Sequence, residues 1–522
     1  MPLPEGEQNL LKSIRENGLN RILFLGAVIL MLAGAAFLKL PALRNGAPNL
    51  EAPYHVLLTV SSLNETPVAR HHLLPTVSLG SVYDKNISWG ATLRLPSGDY
   101  VYTSFASPGF LAPFAFFKLT DLRITLRNLM MFNFFLQAVA VLALATLLKS
   151  VTRSYADRRQ RSLAILAGVS VQIFSSEALL SYGIIYWPQQ VYQIILICSL
   201  ICVTHIIQRD GRRCSVLIAA LAALCFVGPW TEWTGFVFNA GSVMFFGWKG
   251  RSDRRYIWIA ATIAGATAAT IILLVGQYAA YVGLLPTLKA FAKRFLVRSV
   301  SHSGPLDLLR GYLLSFGLLI PLAVVAIAYV WRTARRVPSS PAVGMGLLIL
   351  ALSAIPLFEN VLMMQHASQF SFDRLKMAVP IAIGLTMAMA LVNVRWRLIG
   401  AVLLMGALVQ NVVIYRARLA DHVSWQGIDR NNRLLRDKID ALIDRDCAVL
   451  TSHLTVRGYA NLLFHRGIFE SVSSEAFDHY AASPRAVRCG AVHLEGSTPF
   501  PDMPHYSGAT VRRGGRTWQV SI

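Results

Sequence analysis

Charge is scarce in this chain. Only 15% of its 522 residues are Asp, Glu, Lys or Arg, and acids are scarcer than bases, 27 against 49. With 54% hydrophobic residues it is far more apolar than a soluble protein of this length, so its solvent is expected to be lipid. No Walker loop, dinucleotide fingerprint or HExxH sequence occurs, which removes support for ATP-driven transport and for zinc hydrolysis of the commonest kinds. An internal repeat and low-complexity tracts are also lacking, which argues against a transporter built of two similar halves. Cysteine is limited to six residues with no paired CxxC. Cys198, Cys202, Cys214 and Cys225 fall in or beside apolar runs and read as small core hydrophobes, whereas Cys447 and Cys489 lie in the polar tail. For those two, a disulfide and a pair of free thiols both remain open.

What the chain does have is a series of apolar runs of about 17 to 20 residues, long enough as helices to cross roughly 30 Å of hydrocarbon. Spans are placed near residues 22–38, 124–148, 162–178, 189–207, 214–229, 232–247, 256–276, 313–331, 341–357, 377–393 and 398–415. The first follows Lys12, Arg15 and Arg21 and is read as an uncleaved helix, although the Ala33-Gly34-Ala35-Ala36 stretch also suits a signal-peptide cleavage site. The formal net charge of +22 would suit nucleic acid if it lay along one face. Instead it gathers in short connections: Lys149 to Arg161, Arg209 to Arg213, Lys249 to Arg255, Arg332 to Arg336, and Arg395 with Arg397. These all fall on one side together with the N-terminal segment, so the positive-inside rule puts that segment inside and, with an odd number of spans, the tail outside. Nucleic acid is not expected as a partner; membrane lipids are.

The outer side then carries the loop from about 40 to 123, the segment Ser181 to Gln190, the loop from about 281 to 312 and the tail from 416. Pro108 to Leu119 is too short to span and contains Pro113, and Leu285 to Val300 alternates Leu and Phe with Lys289, Lys293, Arg294 and Arg298. Both are predicted to be helices lying in the interface. The tail opens with a charged amphipathic stretch, Asn431 to Asp444. β-prone runs follow at Cys447 to Thr451 and Gly490 to Leu494, which predicts a small α/β domain. The expected fold class is therefore an α-helical polytopic membrane protein of about 11 transmembrane helices, N-terminus in and C-terminus out. A membrane domain would cover 1–415, including the outer loop 40–123, and a periplasmic soluble domain 416–522.

Among scattered polar residues, Glu51 stands just beyond the first span, where a carboxylate can take a proton from an acceptor hydroxyl; a solvated loop glutamate is the plain alternative. His55 follows it, with Asp84, Lys85 and Asp99 later in the same loop. Tyr102, in Tyr100 to Gly109, puts an aromatic hydroxyl at headgroup level, suited to a sugar ring or to an ordinary aromatic belt. Glu232, in Pro229-Trp230-Thr231-Glu232-Trp233, is the most membrane-embedded acid, a functional candidate or a structural hydrogen-bonding group. His366, Asp373, Arg374 and Lys376 precede the tenth span, where the cations can meet a phosphate or simply anchor a helix end. Glu177, Tyr182, Tyr186 and Trp187 form a further outer polar and aromatic group.

The order of parts, one span, a long outer loop with an early acid, then Tyr102-Thr103-Ser104-Phe105-Ala106-Ser107-Pro108-Gly109-Phe110-Leu111 and a helix opening Leu126-Arg127-Asn128-Leu129, resembles the GT-C class of membrane glycosyltransferases. Within it the chain is most similar to bacterial relatives of protein mannosyltransferases and of the aminoarabinose transferase. The resemblance implies inverting transfer of a sugar from a polyprenyl-phosphate carrier to a cell-envelope glycan or lipid acceptor, at the outer face of a bacterial inner membrane. Glu51 matches the position of the general base, although many relatives carry an Asp there, often beside a second acid, where this chain has Leu50 and Ala52 as neighbours. The Pro-Pro pair often found before the interfacial helix is Ser107-Pro108 here. Arg374 and Lys376, with Lys293 and Arg294 as alternatives, are the candidates for the donor phosphate, and His55, Tyr102, Glu232, His366 and Asp373 for substrate contacts. No cofactor is expected, and no outer His, Asp and Glu group has a convincing metal-ligand spacing, so metal dependence stays open. The competing reading is a transporter or flippase of a lipid-linked sugar, with Glu232 and Asp373 as coupling sites; an inactive envelope-assembly scaffold is a third.

Overall fold

The computed structural model describes residues 5–80, 85–87, 91–104, 107–153, 158–209, 214–299, 303–336, 341–420, 425–444, 448–451, 457–470, 474–496 and 505–522. Helix α1 (Glu5–Lys39) carries the first apolar run and leads through a four-residue helical turn, Ala42–Asn45, into α2 (Glu51–Glu65). The rest of the first long loop holds a two-stranded antiparallel sheet, β1 (Thr92–Arg94) and β2 (Tyr100–Tyr102), and then α3 (Pro108–Thr120). Helices α4 (Leu126–Val151), α5 (Arg158–Phe174), α6 (Ser176–Ser181), α7 (Pro188–Gln208), α8 (Ser215–Thr231), α9 (Thr234–Lys249) and α10 (Arg254–Val282) follow. The basic segment forms α11 (Leu284–Ser299), followed by α12 (Pro305–Phe316), α13 (Leu319–Arg336), α14 (Pro341–Ala354), α15 (Leu357–Leu362) and α16 (Met364–Gln369). A 3₁₀ turn, Ser371–Met377, leads into α17 (Ala378–Leu391), and α18 (Val394–Ala420) ends the bundle.

Each of the eleven expected spans overlaps a helix of the bundle, although 162–178 and 313–331 each run across a break between two helices, and the chain is a polytopic membrane protein. Among the described residues seven helical segments are long and apolar enough to cross a membrane, and up to eight if the bent α12–α13 pair counts as one. The shortfall comes from segments such as α8 and α9, of 17 and 16 residues, which meet at a break around Glu232 instead of each covering the full hydrocarbon thickness. The eighth expected span, 313–331, is displaced. The chain turns by 92° between α12 and α13, so α12 lies across the bundle end and the crossing helix starts only at Leu319. Gly317 makes the corner with φ +50°, a left-handed conformation that side chains resist; a Cβ there would also stand 2.3 Å from the Gln410 side-chain oxygen.

After the bundle come α19 (Trp425–Asp440), β3 (Val449–Thr451), α20 (Arg457–Phe464), β4 (Ile468–Glu470), α21 (Ser474–Ala481), α22 (Pro484–Cys489), β5 (Ala491–Gly496), β6 (Tyr506–Arg513) and β7 (Arg516–Ser521). The five strands form one sheet in the order β4-β3-β5-β6-β7, parallel through β4, β3 and β5 and antiparallel beyond. All three residues of β3 are buried, as a central parallel strand covered on both faces requires. The expected Cys447–Cys489 question falls on Cys447, which lies outside the described residues, as does Asp84.

This α/β unit rests on the bundle through α20, which packs along α2. Tyr54 and Tyr459 meet edge to face with ring centroids 4.9 Å apart. Gly458 permits the approach: a Cβ there would lie 3.1 Å from the backbone of both Tyr54 and His55. The ends of α12, α16 and α18 and the 3₁₀ turn gather opposite the entrance to α2, and buried polar side chains concentrate there.

Candidate active site

Glu51 opens α2, where a carboxylate in the first turn faces the positive end of the helix dipole. The chain is aimed into that helix by Asn49, whose φ of +65° is one of few left-handed non-glycine conformations here and is tolerated by Asn. Glu51 itself is half-buried. Pro48 and Asn49 line a cavity of about 390 Å³ whose opposite walls come from α12, α16, the 3₁₀ turn and the end of α18. Three of its lining side chains are Arg310, Arg374 and Arg418, against one acid, Asp307. The entrance to α2 and the His366-to-Lys376 segment, more than 300 residues apart, therefore face one basic cavity.

Behind that cavity lies a buried polar network. The Arg374 Nε donates to Ser315 Oγ at 2.8 Å and Nη1 to the carbonyl of Ala367 at 2.5 Å. Ser315 in turn donates to Glu177 Oε2 at 2.8 Å, and Ser181 donates to the other oxygen of Glu177 at 2.6 Å. Arg418 closes this branch, 3.6 Å from Glu177. In a second branch Gln189 donates to Asp373 Oδ1 at 2.5 Å, and Asp373 Oδ2 contacts His366 Nδ1. Burial pulls the proton affinity of His366 below that of a free imidazole, against the opposing pull of Asp373. In a third branch Lys376 is ion-paired with Glu359, and Thr234 Oγ1 accepts from Lys376 at 3.0 Å while donating to Glu359 at 2.7 Å. Glu232 joins through Thr234, whose backbone N–H it accepts at 2.8 Å. Glu177, Glu232, Glu359 and Asp373 are all at most 3% exposed; Arg418, Lys376 and His366 partner Glu177, Glu359 and Asp373, which makes the burial of those three tolerable.

A second group faces the first across a wall of aromatic rings. The His55 ring lies 4.2 Å from that of Tyr102 and 5.1 Å from that of Trp187, centroid to centroid. Trp187 continues to Phe372 at 5.6 Å, immediately before Asp373. Arg294, on the inward face of α11, donates to Ser104 Oγ at 2.5 Å and interacts with Tyr102. Burial, reinforced by the Arg294 charge, lowers the His55 pKa to about 3, so this imidazole is neutral. Arg294 itself is held below the usual guanidinium range by burial first of all.

Of the residues singled out from the sequence, Arg374 lines the cavity beside Asn49, while His366, Asp373, Lys376 and Glu232 lie in the buried network. His55, Tyr102 and Arg294 form the aromatic group. Lys293, one residue before Arg294, points the other way and is exposed. Sequence reasoning passed over Arg310, Arg418 and Glu359. Glu359 carried a usable signal, an acid within an apolar segment between two spans; the two arginines look like ordinary helix-end charges until α12 and α18 are folded together. Among the described residues no group of three or more His, Cys, Asp or Glu is arranged to hold a metal ion.

No protein-family model matches this chain, and no curated protein does. Solved structures do match. The oligosaccharyltransferase of Archaeoglobus fulgidus, crystallised with Zn and sulfate, aligns over 89% of this chain and 68% of its own at 13% identity and a TM-score of 0.49. ArnT of Cupriavidus metallidurans, crystallised with undecaprenyl phosphate, aligns over 91% of this chain and 92% of its own at 11% identity and a TM-score of 0.55. At that identity the likeness to ArnT speaks for the fold, and over nearly the whole of both chains. The chain thus shares the fold of ArnT, in agreement with the order of spans, outer loop and interfacial helices read from the sequence.

Proposed function

We propose that this protein is an inverting glycosyltransferase. It takes a sugar from a polyprenyl-phosphate carrier and gives it to a cell-envelope glycan or lipid, at the outer face of a bacterial inner membrane. The observation that carries the proposal is the cavity in which the chain leading to Glu51 meets Arg310, Arg374 and Arg418. A fold shared with a protein crystallised with undecaprenyl phosphate adds support for a lipid-phosphate donor.

The reaction needs two groups in one place. The acceptor oxygen attacks the anomeric carbon from the face opposite the phosphate, the carbon–oxygen bond to phosphate breaks, and its electron pair leaves on polyprenyl phosphate. The acceptor proton passes to the Glu51 carboxylate, which serves as general base. The leaving phosphate needs charge stabilisation more than protonation, and guanidinium groups provide it with directed N–H donors. Arg374 is assigned to that role, assisted by Arg310 and Arg418, with Arg294 as the second candidate from the aromatic side. Lys376, already paired with Glu359, supports the segment that presents Arg374. His55, neutral, stacked on Phe110 and edge to face with Tyr102 and Trp187, is assigned to the sugar-binding side of the site through its ring nitrogen. His366, Asp373 and Glu232 act from the network behind.

The test is release of polyprenyl phosphate by purified protein in lipid, supplied with a panel of polyprenyl-phosphate sugars and envelope acceptors. Wild type is expected to release it with one donor, and folded Glu51→Gln to lose at least a hundredfold in kcat, the scale of general-base catalysis. Full activity in Glu51→Gln would remove the base assignment; no release with any donor would remove the enzyme reading.

A further inference from the structure

A second cavity, of about 1010 Å³, lies apart from the first. It opens where the first span leaves the bundle and is walled by the ends of three apolar helices together with α19 and α20. Five of its lining residues are arginines, Arg44, Arg127, Arg416, Arg433 and Arg436, and no acid is among the lining residues. Arg433 and Arg436 are partly neutralised from behind by Asp429 and Asp437. Arg44, Arg127 and Arg416 are exposed to the opening.

The placement of those three decides what the cavity suits. Arg44 ends the span Asn20–Asn45, Arg127 begins Leu126–Val151, and Arg416 is near the end of Val394–Leu419. All three belong to the end of the bundle that carries the long loop, so they lie at one level, the boundary between hydrocarbon and water. The lip of the cavity on the bundle side is apolar: Phe37 is 72% and Leu40 52% exposed, with Ile124 beside them. The upper wall is aromatic, with Tyr54 6.4 Å from Trp425 and 4.9 Å from Tyr459 between ring centroids. A site with guanidinium groups at headgroup depth, acyl-compatible side chains below and aromatic rings above matches a phosphorylated amphiphile end to end. Free phosphate would leave the apolar lip without use.

We propose that this cavity binds the phosphodiester headgroup of an anionic membrane phospholipid, whose acyl chains run down past Phe37 and Leu40 along the first span. The bound lipid ties α19 and α20 to the ends of three bundle helices. It thereby fastens the C-terminal unit, and α2 beneath it, to the membrane surface. The assignment is independent of sugar transfer.

The test uses the full chain purified in a neutral detergent. Retention of phosphatidylglycerol and of phosphatidylcholine is read by native mass spectrometry, and thermal stability with either lipid or with inorganic phosphate by a melting curve. Wild type is expected to retain one phosphatidylglycerol in preference to phosphatidylcholine and to melt several degrees higher with it, but not with inorganic phosphate. The triple variant R44Q/R127Q/R416Q is expected to lose that retention at least tenfold; if it does not fold, R127Q alone should weaken it measurably. Equal retention by wild type and the folded variant would overturn the proposal. A shift produced by inorganic phosphate as large as that from the lipid would also overturn it, by making the cavity a site for a soluble anion.

Discussion

Lys376 shows how much a single charge costs in this bundle. It reads from the sequence as a cation free to meet a phosphate, yet its ammonium is spent on Glu359, with Thr234 bridging the pair. Removing it leaves a buried carboxylate without its countercharge, so Lys376→Met is expected to destabilise by about 3–5 kcal/mol. Adding Glu359→Gln should recover a large part of that loss, and thermal unfolding of both variants in one detergent measures the coupling. His55 behaves differently because it is buried neutral. With a folded pKa of about 3 against an ordinary 6.5, the unfolded chain binds the extra proton between those values. Stability is therefore whole above pH 6.5 and falls as pH drops through the window down to about 3, by about 1.4 kcal/mol for each pH unit well inside it. Melting temperature measured from pH 7 to pH 4 should decline less steeply in His55→Phe than in wild type; parallel curves would assign the decline elsewhere.

At the scale of elements, α2 couples the two parts of the molecule. Its first residue is Glu51, its second turn carries Tyr54 and His55, and α20 presses on that turn through Gly458. Gly458→Leu puts a branched side chain against backbone that cannot move aside. The expected result is partial undocking of α20, faster cleavage of the C-terminal unit in limited proteolysis, and less release of polyprenyl phosphate in the assay proposed above, with the membrane bundle still folded. Unchanged proteolysis would mean that the contact at Gly458 does not hold the C-terminal unit. No helix is expected over 51–65 from the sequence, because α2 is buried by distant partners and shows no strong one-sided pattern of its own.

For the whole molecule, the arrangement of basic connections predicts an orientation that chemistry can read. In a background with Cys447 and Cys489 replaced by Ser, a cysteine at position 251 should resist a membrane-impermeant thiol reagent in intact cells, and one at position 495 should react. The reverse pattern would place the C-terminal unit and the cavity at the entrance to α2 inside.

The sequence by itself determined that the chain is a helical membrane protein, where its apolar helices run and which connections are basic. It determined too that a soluble unit with β-strands follows, since the hydrocarbon core imposes length and composition on each span separately. It also marked Glu51 and Arg374, as an acid and a base next to apolar runs. Only the tertiary structure decided that Asn49 and Arg374 face one cavity with Arg310 and Arg418, that Arg294 turns inward while Lys293 does not, and that Lys376 is paired with Glu359. Those relations depend on helix rotation and packing among segments hundreds of residues apart. They are set by how buried charges find partners in a low-dielectric interior, a condition no single segment of sequence expresses.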